Sequence, residues 1–359
     1  MSRRLVPRFI AAAALALTAA PRAAAAPCDV YAAAGTPCVG AFSLVRALYA
    51  SYGGALYVVR RASDNTTRAV PVLAPGGFAD AAVQEAFCAG TQCAVWRLVD
   101  QSPFNNDLTV APPGGAARHV DNGVNASALP VSLPGGGRAY GALFVAGANQ
   151  GYRIDITNSV AVGNEAETIY MVTSGKFFNS NCCFDFGNAE YNNLDTGEGS
   201  MECVYYGSYN ATGKGWCGGA GQAGPWVMAD LESGLWACAD RPGVNPATVA
   251  MPFEFVTGMV KGFGDVEPYG RWAIKAGNAA AGPLTTQYDG PRPAQAPGRA
   301  AYYPMRLTGS IVLGIGGDNS DGAAGVFLEG AVLKGASSDA ADAAAQADIN
   351  SVYSQMRLL

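Results

Sequence analysis

The 359-residue sequence contains one histidine, His119. A Ser-His-Asp hydrolase would depend on it, and Ala117-Arg-His-Val-Asp121 reads as a loop with no nucleophile elbow. The nine cysteines include no C-x-x-C pair, so with a single histidine the chain lacks the ligand spacing of a zinc site, and no metal or cofactor is expected. In the glycine-rich segment Ser310–Gly322 no G-x-G-x-x-G or Gly-Lys-Ser/Thr follows, which removes the phosphate-loop reading there. Charged residues make up only 14% of the chain. Beyond the first 26 residues no stretch is apolar and long enough to span a bilayer, and no internal repeat is visible.

The start of the chain has the layout of an export signal. Arg3, Arg4 and Arg8 form a basic region, Phe9 to Ala20 is apolar, and Ala24-Ala25-Ala26 offers small residues for cleavage. Residues 1–26 are therefore expected to be a signal peptide and the remainder, 27–359, one secreted domain. Loss of Arg3, Arg4, Arg8 and Arg22 takes the net charge from −5 to −9. That balance gives no electrostatic basis for binding nucleic acid or an anionic membrane. The mature protein is expected to act as a monomer.

Cysteines in an exported chain read as disulfides. Cys28/Cys38 and Cys88/Cys93 are close pairs that each close a short loop. Among Cys203, Cys217 and Cys238 the preferred pair is Cys217–Cys238, and the odd total leaves a thiol unpaired or paired between molecules. Adjacent Cys182 and Cys183 either bond to each other as a stiff apolar knob or serve as two separate staples; spacing does not decide. Asn65, Asn125 and Asn210 lie in Asn-x-Ser/Thr sequons, which mark glycosylation candidates or arise by chance in a chain rich in these residues.

Short strand patterns dominate. Ala55–Arg60 and Ala94–Val99 read as strands, Phe78–Cys88 has helical spacing with Phe78, Ala82, Val83 and Phe87 on one face, and Ser43–Tyr52 fits either a short helix or a strand. From Ala139 onward strand candidates recur at Ala142–Val145, Thr168–Thr173, Glu202–Tyr206, Trp226–Leu231, Phe253–Val260, Trp272–Lys275, Ser310–Ile315 and Gly325–Leu333. The intervals are too short for repeated βαβ units, which predicts an all-β sandwich or jelly roll. Ser338–Met356 predicts a C-terminal helix capped by Ser338 or Asp339.

Two segments point to chemistry. In Trp226-Val-Met-Ala-Asp-Leu-Glu-Ser-Gly-Leu-Trp236, strand alternation places Trp226, Met228, Asp230 and Glu232 on one face. Two carboxylates beside aromatics suit a sugar site, with rings against apolar sugar faces and acids on hydroxyls. The plain alternative is a half-exposed sheet with Val227, Ala229 and Leu231 in the core. The second segment, Ser310-Ile-Val-Leu-Gly-Ile-Gly-Gly-Asp-Asn319, runs a strand into a glycine turn with Asp318 at its tip. A tight hairpin with Asp318 satisfying backbone donors explains it equally well, and its acids do not keep EF-hand register.

An ordered set of motifs resembles one family. The set is Cys28-Asp-Val-Tyr31, Ala47-Leu-Tyr49, Leu56-Tyr-Val-Val-Arg-Arg-Ala-Ser-Asp64, Phe87-Cys88-Ala-Gly-Thr-Gln-Cys93, Asp100-Gln-Ser102, Cys182-Cys-Phe-Asp-Phe-Gly-Asn-Ala-Glu190, Gly224-Pro-Trp-Val-Met-Ala-Asp-Leu-Glu232 and Leu313-Gly-Ile-Gly-Gly-Asp-Asn319. Together they resemble the α-L-arabinofuranosidase B enzymes of glycoside hydrolase family 54, over about Pro27 to Tyr353. The resemblance implies a jelly-roll, concanavalin-like β-sandwich and hydrolysis with retention at arabinose-containing plant cell-wall polysaccharides. It places Glu232 as nucleophile and Asp318 as general acid/base. It makes Asp230 a substrate-contacting carboxylate, Cys182–Cys183 a vicinal disulfide in the pocket wall, Trp216 a pocket aromatic and Gly317 a backbone contact. Ser233 stands where the family usually has Asn, which weakens one hydroxyl contact. The arabinose-binding module common at the family's C-terminus is expected to be absent.

Retention requires the two carboxyl groups about 5 Å apart, so that Glu232 attacks the anomeric carbon while Asp318 protonates the leaving oxygen. Asp230 helps keep Glu232 ionised only if it is itself neutral or bonded to substrate. The competing readings are a lectin-like binder, which needs no such acid pair, and a glycosidase for galactofuranose or xylose.

Overall fold

The computed structural model describes residues 25–221, 223–264 and 270–359. Most of the expected signal peptide, residues 1–24, lies outside the described residues. Strands dominate, arranged in sheets of six, twelve and four, with three α-helices among the described residues. The expected all-β sandwich is therefore present.

The two larger sheets stack. Strands Glu167–Thr173, Val256–Gly262 and Arg271–Asn278 of the six-stranded sheet pack against Asp185–Ala189, Glu202–Gly207 and Trp226–Asp230 of the twelve-stranded one. Gly258 sits at the contact: a Cβ there would lie 3.1 Å from methyls of both Val204 and Val227. Its missing side chain lets the sheets approach at these branched residues, which form the inward face of their strands. A continuous apolar cluster runs from Cys28 to Met356. Because the central strands are covered on both faces, they are buried throughout rather than alternately, as in Glu202–Gly207 and Trp226–Asp230.

The helical expectations fared unevenly. The C-terminal helix is Asp339–Tyr353, and the Ser338 side chain caps it by accepting from the Ala341 amide at 3.2 Å. The other expected helix is only Ala81–Phe87, and it buries Ala81 and Gln84 rather than the Phe78/Ala82/Val83/Phe87 face. The reason is polar. The Gln84 amide donates to Ala126 O at 2.7 Å and its carbonyl accepts from the Tyr57 hydroxyl at 2.8 Å, so a fully satisfied glutamine replaces an apolar residue on the inner face. Ser43–Tyr52 is neither element: the strand Cys38–Ser43 ends there and turns follow.

The C-terminal helix is fastened to the six-stranded sheet by buried ions. Arg46 makes a bidentate pair with Glu329 (2.7 and 2.8 Å) and reaches Asp348 on the helix at 2.7 Å. The Tyr353 hydroxyl donates to the same Glu329 at 3.0 Å. Lys261 and Lys275 converge on Asp342 at 2.8 and 2.6 Å. Removing one member of such a buried set strands the other charge. Arg46→Ala is expected to cost about 3–5 kcal/mol of stability, against about 1 kcal/mol for the cap substitution Ser338→Ala. Chemical denaturation of both variants checks the order, and equal losses would refute this account of the helix.

Candidate active site

The site grows from one face of four neighbouring strands. In the twelve-stranded sheet Trp226–Asp230, Glu202–Gly207, Asp185–Ala189 and Ser310–Leu313 lie side by side. Register pairs Asp230 with Cys203, Cys203 with Gly187 and Gly187 with Val312. Directly paired residues share a face, so Met228, Asp230, Cys203, Tyr205 and Asp185 point away from the Val204/Val227 contact.

Glu232 reaches the cavity by a different route from the one alternation predicts. The strand ends at Asp230, and Glu232 and Ser233 are both left-handed, with φ of 63° and 51°. Such a conformation is costly for residues other than glycine and needs support. Asp230 Oδ1 accepts from the Glu232 amide at 2.9 Å, and the Tyr302 hydroxyl lies 3.0 Å from Ser233 O and 3.2 Å from Glu232 O. Tyr302 is in turn packed edge-on against Trp236 at 5.3 Å.

The resulting cavity is about 570 Å³, and it is lined by each site residue that the resemblance implied: Cys182, Cys183, Trp216, Asp230, Glu232, Ser233, Gly317 and Asp318. Sequence reasoning missed Asp195, Arg241, Arg299 and Ser320, which line it as well. Trp226 and Trp236, expected as sugar-facing aromatics, do not line it. Trp236 is fully buried beneath Arg241, whose guanidinium lies 4.7 Å from its ring. Trp216, backed by Tyr209 in a stacked pair at 5.9 Å, supplies the aromatic wall instead.

Asp318 is held by Arg153, a buried cation that no local motif advertises. Its guanidinium donates to Gly317 O at 2.9 Å and also to Asn319 Oδ1 and Glu190 O. A side chain at Gly317 would collide with the Glu190 carboxylate, so glycine is required there for space. Asp318 Oδ1 accepts from the Ser320 amide at 3.0 Å, and its own carbonyl accepts from the Ala116 amide at 3.0 Å.

The cysteines are paired Cys28–Cys38, Cys88–Cys93, Cys182–Cys183 and Cys217–Cys238. Cys203 is the remaining thiol, fully buried under the cavity floor and so out of reach of another molecule. Asp230 Oδ2 lies 3.5 Å from Cys183 Sγ and 3.8 Å from Cys182 Sγ. Although Cys182, Cys183, Asp185 and Asp230 converge, disulfide sulfurs are not thiolates and do not ligate a cation as thiolates do. The sequon residues Asn65, Asn125 and Asn210 are all exposed.

Acids dominate the electrostatics. Burial raises Asp230 to about 7, with Glu190 and Asp318 adding to it while the Glu232 amide and Asp185 pull it down. Asp185, wholly buried, is raised by desolvation and then by Asp230. Glu232 is also pushed upward, first by burial and then by Glu190, Asp230 and Asp195.

The family profile described as "Alpha-L-arabinofuranosidase B, catalytic" matches residues 27–354. A protein named probable alpha-L-arabinofuranosidase B from Aspergillus flavus is 46% identical over 330 residues, which is 91% of this chain and 62% of the relative. Alpha-L-arabinofuranosidase B from Aspergillus oryzae matches with the same identity and coverage. A crystal structure of an arabinofuranosidase complexed with arabinofuranosyl-α-1,2-xylobiose superposes with a TM-score of 0.84 at 42% identity, covering 93% of this chain and 66% of that one. The chain thus spans just over three-fifths of the length of the curated relatives it matches.

The raised carboxyls set a sign for stability against pH. For Asp185 and Asp230 the folded chain holds protons more tightly than the unfolded chain, whose Asp titrates near about 3.9. Their contribution is full below that value and is lost as pH rises towards about 7 for Asp230. The melting temperature is expected to be higher at pH 5 than at pH 8, with a shallower slope in Asp185→Asn, which keeps the donor without the ionisation. A flat or rising profile in differential scanning fluorimetry would contradict this.

Proposed function

The chain belongs to the α-L-arabinofuranosidase B catalytic family, and on that premise we propose that it hydrolyses terminal non-reducing α-L-arabinofuranosyl residues with retention. The observation that carries this reading is the placement of Glu232 and Asp318 on opposite supports of one cavity, beside Asp230, Trp216 and the Cys182–Cys183 disulfide.

In the proposed reaction Glu232 attacks the anomeric carbon as Asp318 gives its proton to the leaving oxygen. Asp318 then takes a proton from the water that releases arabinose from Glu232. Asp230 accepts from sugar hydroxyls, the disulfide and Trp216 offer apolar surface to the ring, and Ser233 and the Gly317 backbone add polar contacts. The attack needs Glu232 ionised, yet burial and neighbouring acids favour its neutral form. Two features ease this. Burial favours a proton on Asp185 beside Asp230, which limits the negative charge, and the basic residues Arg241 and Arg299 line the same cavity.

Arabinose-bearing plant polysaccharides and their oligosaccharides are the proposed substrates, in line with the arabinofuranosyl-xylobiose bound to the superposable enzyme. Secretion as a monomer is part of the proposal, supported by the basic-then-apolar start of the chain and the four disulfides.

Glu232→Gln and Asp318→Asn are each expected to lower kcat on an aryl α-L-arabinofuranoside by several orders of magnitude while the melting temperature holds. Near wild-type turnover in either would overturn the assignment. Aryl galactofuranosides and xylosides in the same assay separate the neighbouring specificities, and no phenol from any of them identifies a pure binder. A further expectation concerns pH. Because Glu232 must be ionised and its environment raises it, the acid limb of kcat/KM should fall above the ordinary Glu value of about 4.3. A limb at or below that value would show that the neighbouring acids do not act on it.

A further inference from the structure

The sole histidine lies outside the reaction just described, yet it sits in a cluster of its own. His119 Nε2 is 3.4 Å from Asp121 Oδ1 and 3.2 Å from Asp321 Oδ2. One ligand atom from each of the three lies within 4.8 Å of the others. We propose that His119, Asp121 and Asp321 form a binding site for a divalent zinc-like cation, with water completing the coordination shell.

The first ground is Asp121. Its side chain is fully buried, and neither carboxylate oxygen has a hydrogen-bond partner. An unpaired buried carboxylate is costly, and such groups are ordinarily paired or bound to metal. His119 does not resolve this by donating a proton. A ring nitrogen has one N–H, and Nε2 lies between two carboxylates, with Asp321 the nearer.

The second ground is spacing. Zinc–nitrogen and zinc–oxygen bonds of about 2.0–2.2 Å place tetrahedral ligands about 3.3–3.5 Å apart. The two separations from Nε2, 3.4 and 3.2 Å, come close to that edge length. The third ground is donor chemistry. A nitrogen with two carboxylates and an open side suits zinc, whereas calcium takes six to eight oxygens. Both His119 and Asp321 retain solvent exposure (42% and 20% for their side chains), so the cation has an entry path and room for water.

The position gives the site a structural consequence. Asp321 follows Asp318 by three residues, and His119 and Asp121 end the segment whose Ala116 amide holds the Asp318 carbonyl. A cation here would pin the two loops together. Metal binding itself does not depend on the hydrolase reading, and it is measured without substrate.

The test is calorimetric titration of the chelator-treated full chain with zinc chloride, with calcium chloride in parallel. One equivalent of zinc is expected to bind, to raise the melting temperature and to be lost in His119→Ala and Asp321→Asn, both changes at the surface. Loss of a mere outer-shell partner weakens metal sites about 10- to 100-fold, so each variant should weaken binding by at least that. A cobalt-substituted wild type should show the intense visible bands of tetrahedral coordination, a readout that needs no variant. Absence of stoichiometric zinc binding, retention of it in either variant, or an octahedral cobalt spectrum overturns the proposal and leaves a histidine–aspartate ion cluster.

Discussion

Crowding of buried carboxyl groups beside one cavity is the constraint from which the rest of the site follows. Asp185, Glu190, Asp230 and Glu232 are all buried, and burial raises each of them, with Asp230 adding to the cost at Asp185 and both Glu190 and Asp230 adding to it at Glu232. Full negative charge on every acid of such a set is costly, and their proton affinities rise accordingly. Polar donors then decide where charge is best tolerated. Glu190 accepts from Ser200 Oγ at 2.7 Å and from Thr196, and Asp230 accepts a backbone amide. The least solvated acid, Asp185, is the natural holder of a proton.

Holding repelling groups in place requires anchors outside the cavity. On one side Arg153 ties together Gly317, Asn319 and Glu190, so the loop that presents Asp318 is bound to the strand end that carries Glu190. On the other, Tyr302 bridges the carbonyls of a left-handed Glu232–Ser233 turn that would otherwise be unfavourable. The two carboxylates of the proposed reaction are thus positioned by separate, rigid supports. Pre-organisation of this kind is what acid–base chemistry at a sugar requires.

Much of the site was legible because it consists of local signals. Asp230 and Glu232 stand two apart after a strand pattern, Asp318 ends a glycine turn, and Cys182–Cys183 is conspicuous by adjacency. The inferred role of the neighbouring aromatics was mistaken for the same reason that alternation misled about Glu232. Trp226 lies in the strand, where packing encloses it, and Trp236 lies past the turn, where Tyr302 and Arg241 cover it. The ring that does line the cavity, Trp216, comes from a loop whose position depends on Tyr209 and on contacts with Gly234. His119, set aside because it had no ligand spacing in sequence, finds its partner in Asp321, 202 residues away.

By itself, then, the sequence determined the all-β class, the disulfide-rich character, the family, and the short segments that hold the acids. The family rests on the resemblance of an ordered set of motifs, and the others depend on side-chain periodicity and spacing over a few residues, which the chain encodes directly. Tertiary structure decided the direction of Glu232, the anchoring of Asp318 by Arg153, the choice of Trp216, and the raised proton affinity of Asp185. Each of those rests on burial and charge summed over neighbours from distant strands. Arg153 and Gly317, for instance, are 164 residues apart. Desolvation and Coulomb energy depend on separation in space, and only folding sets those separations.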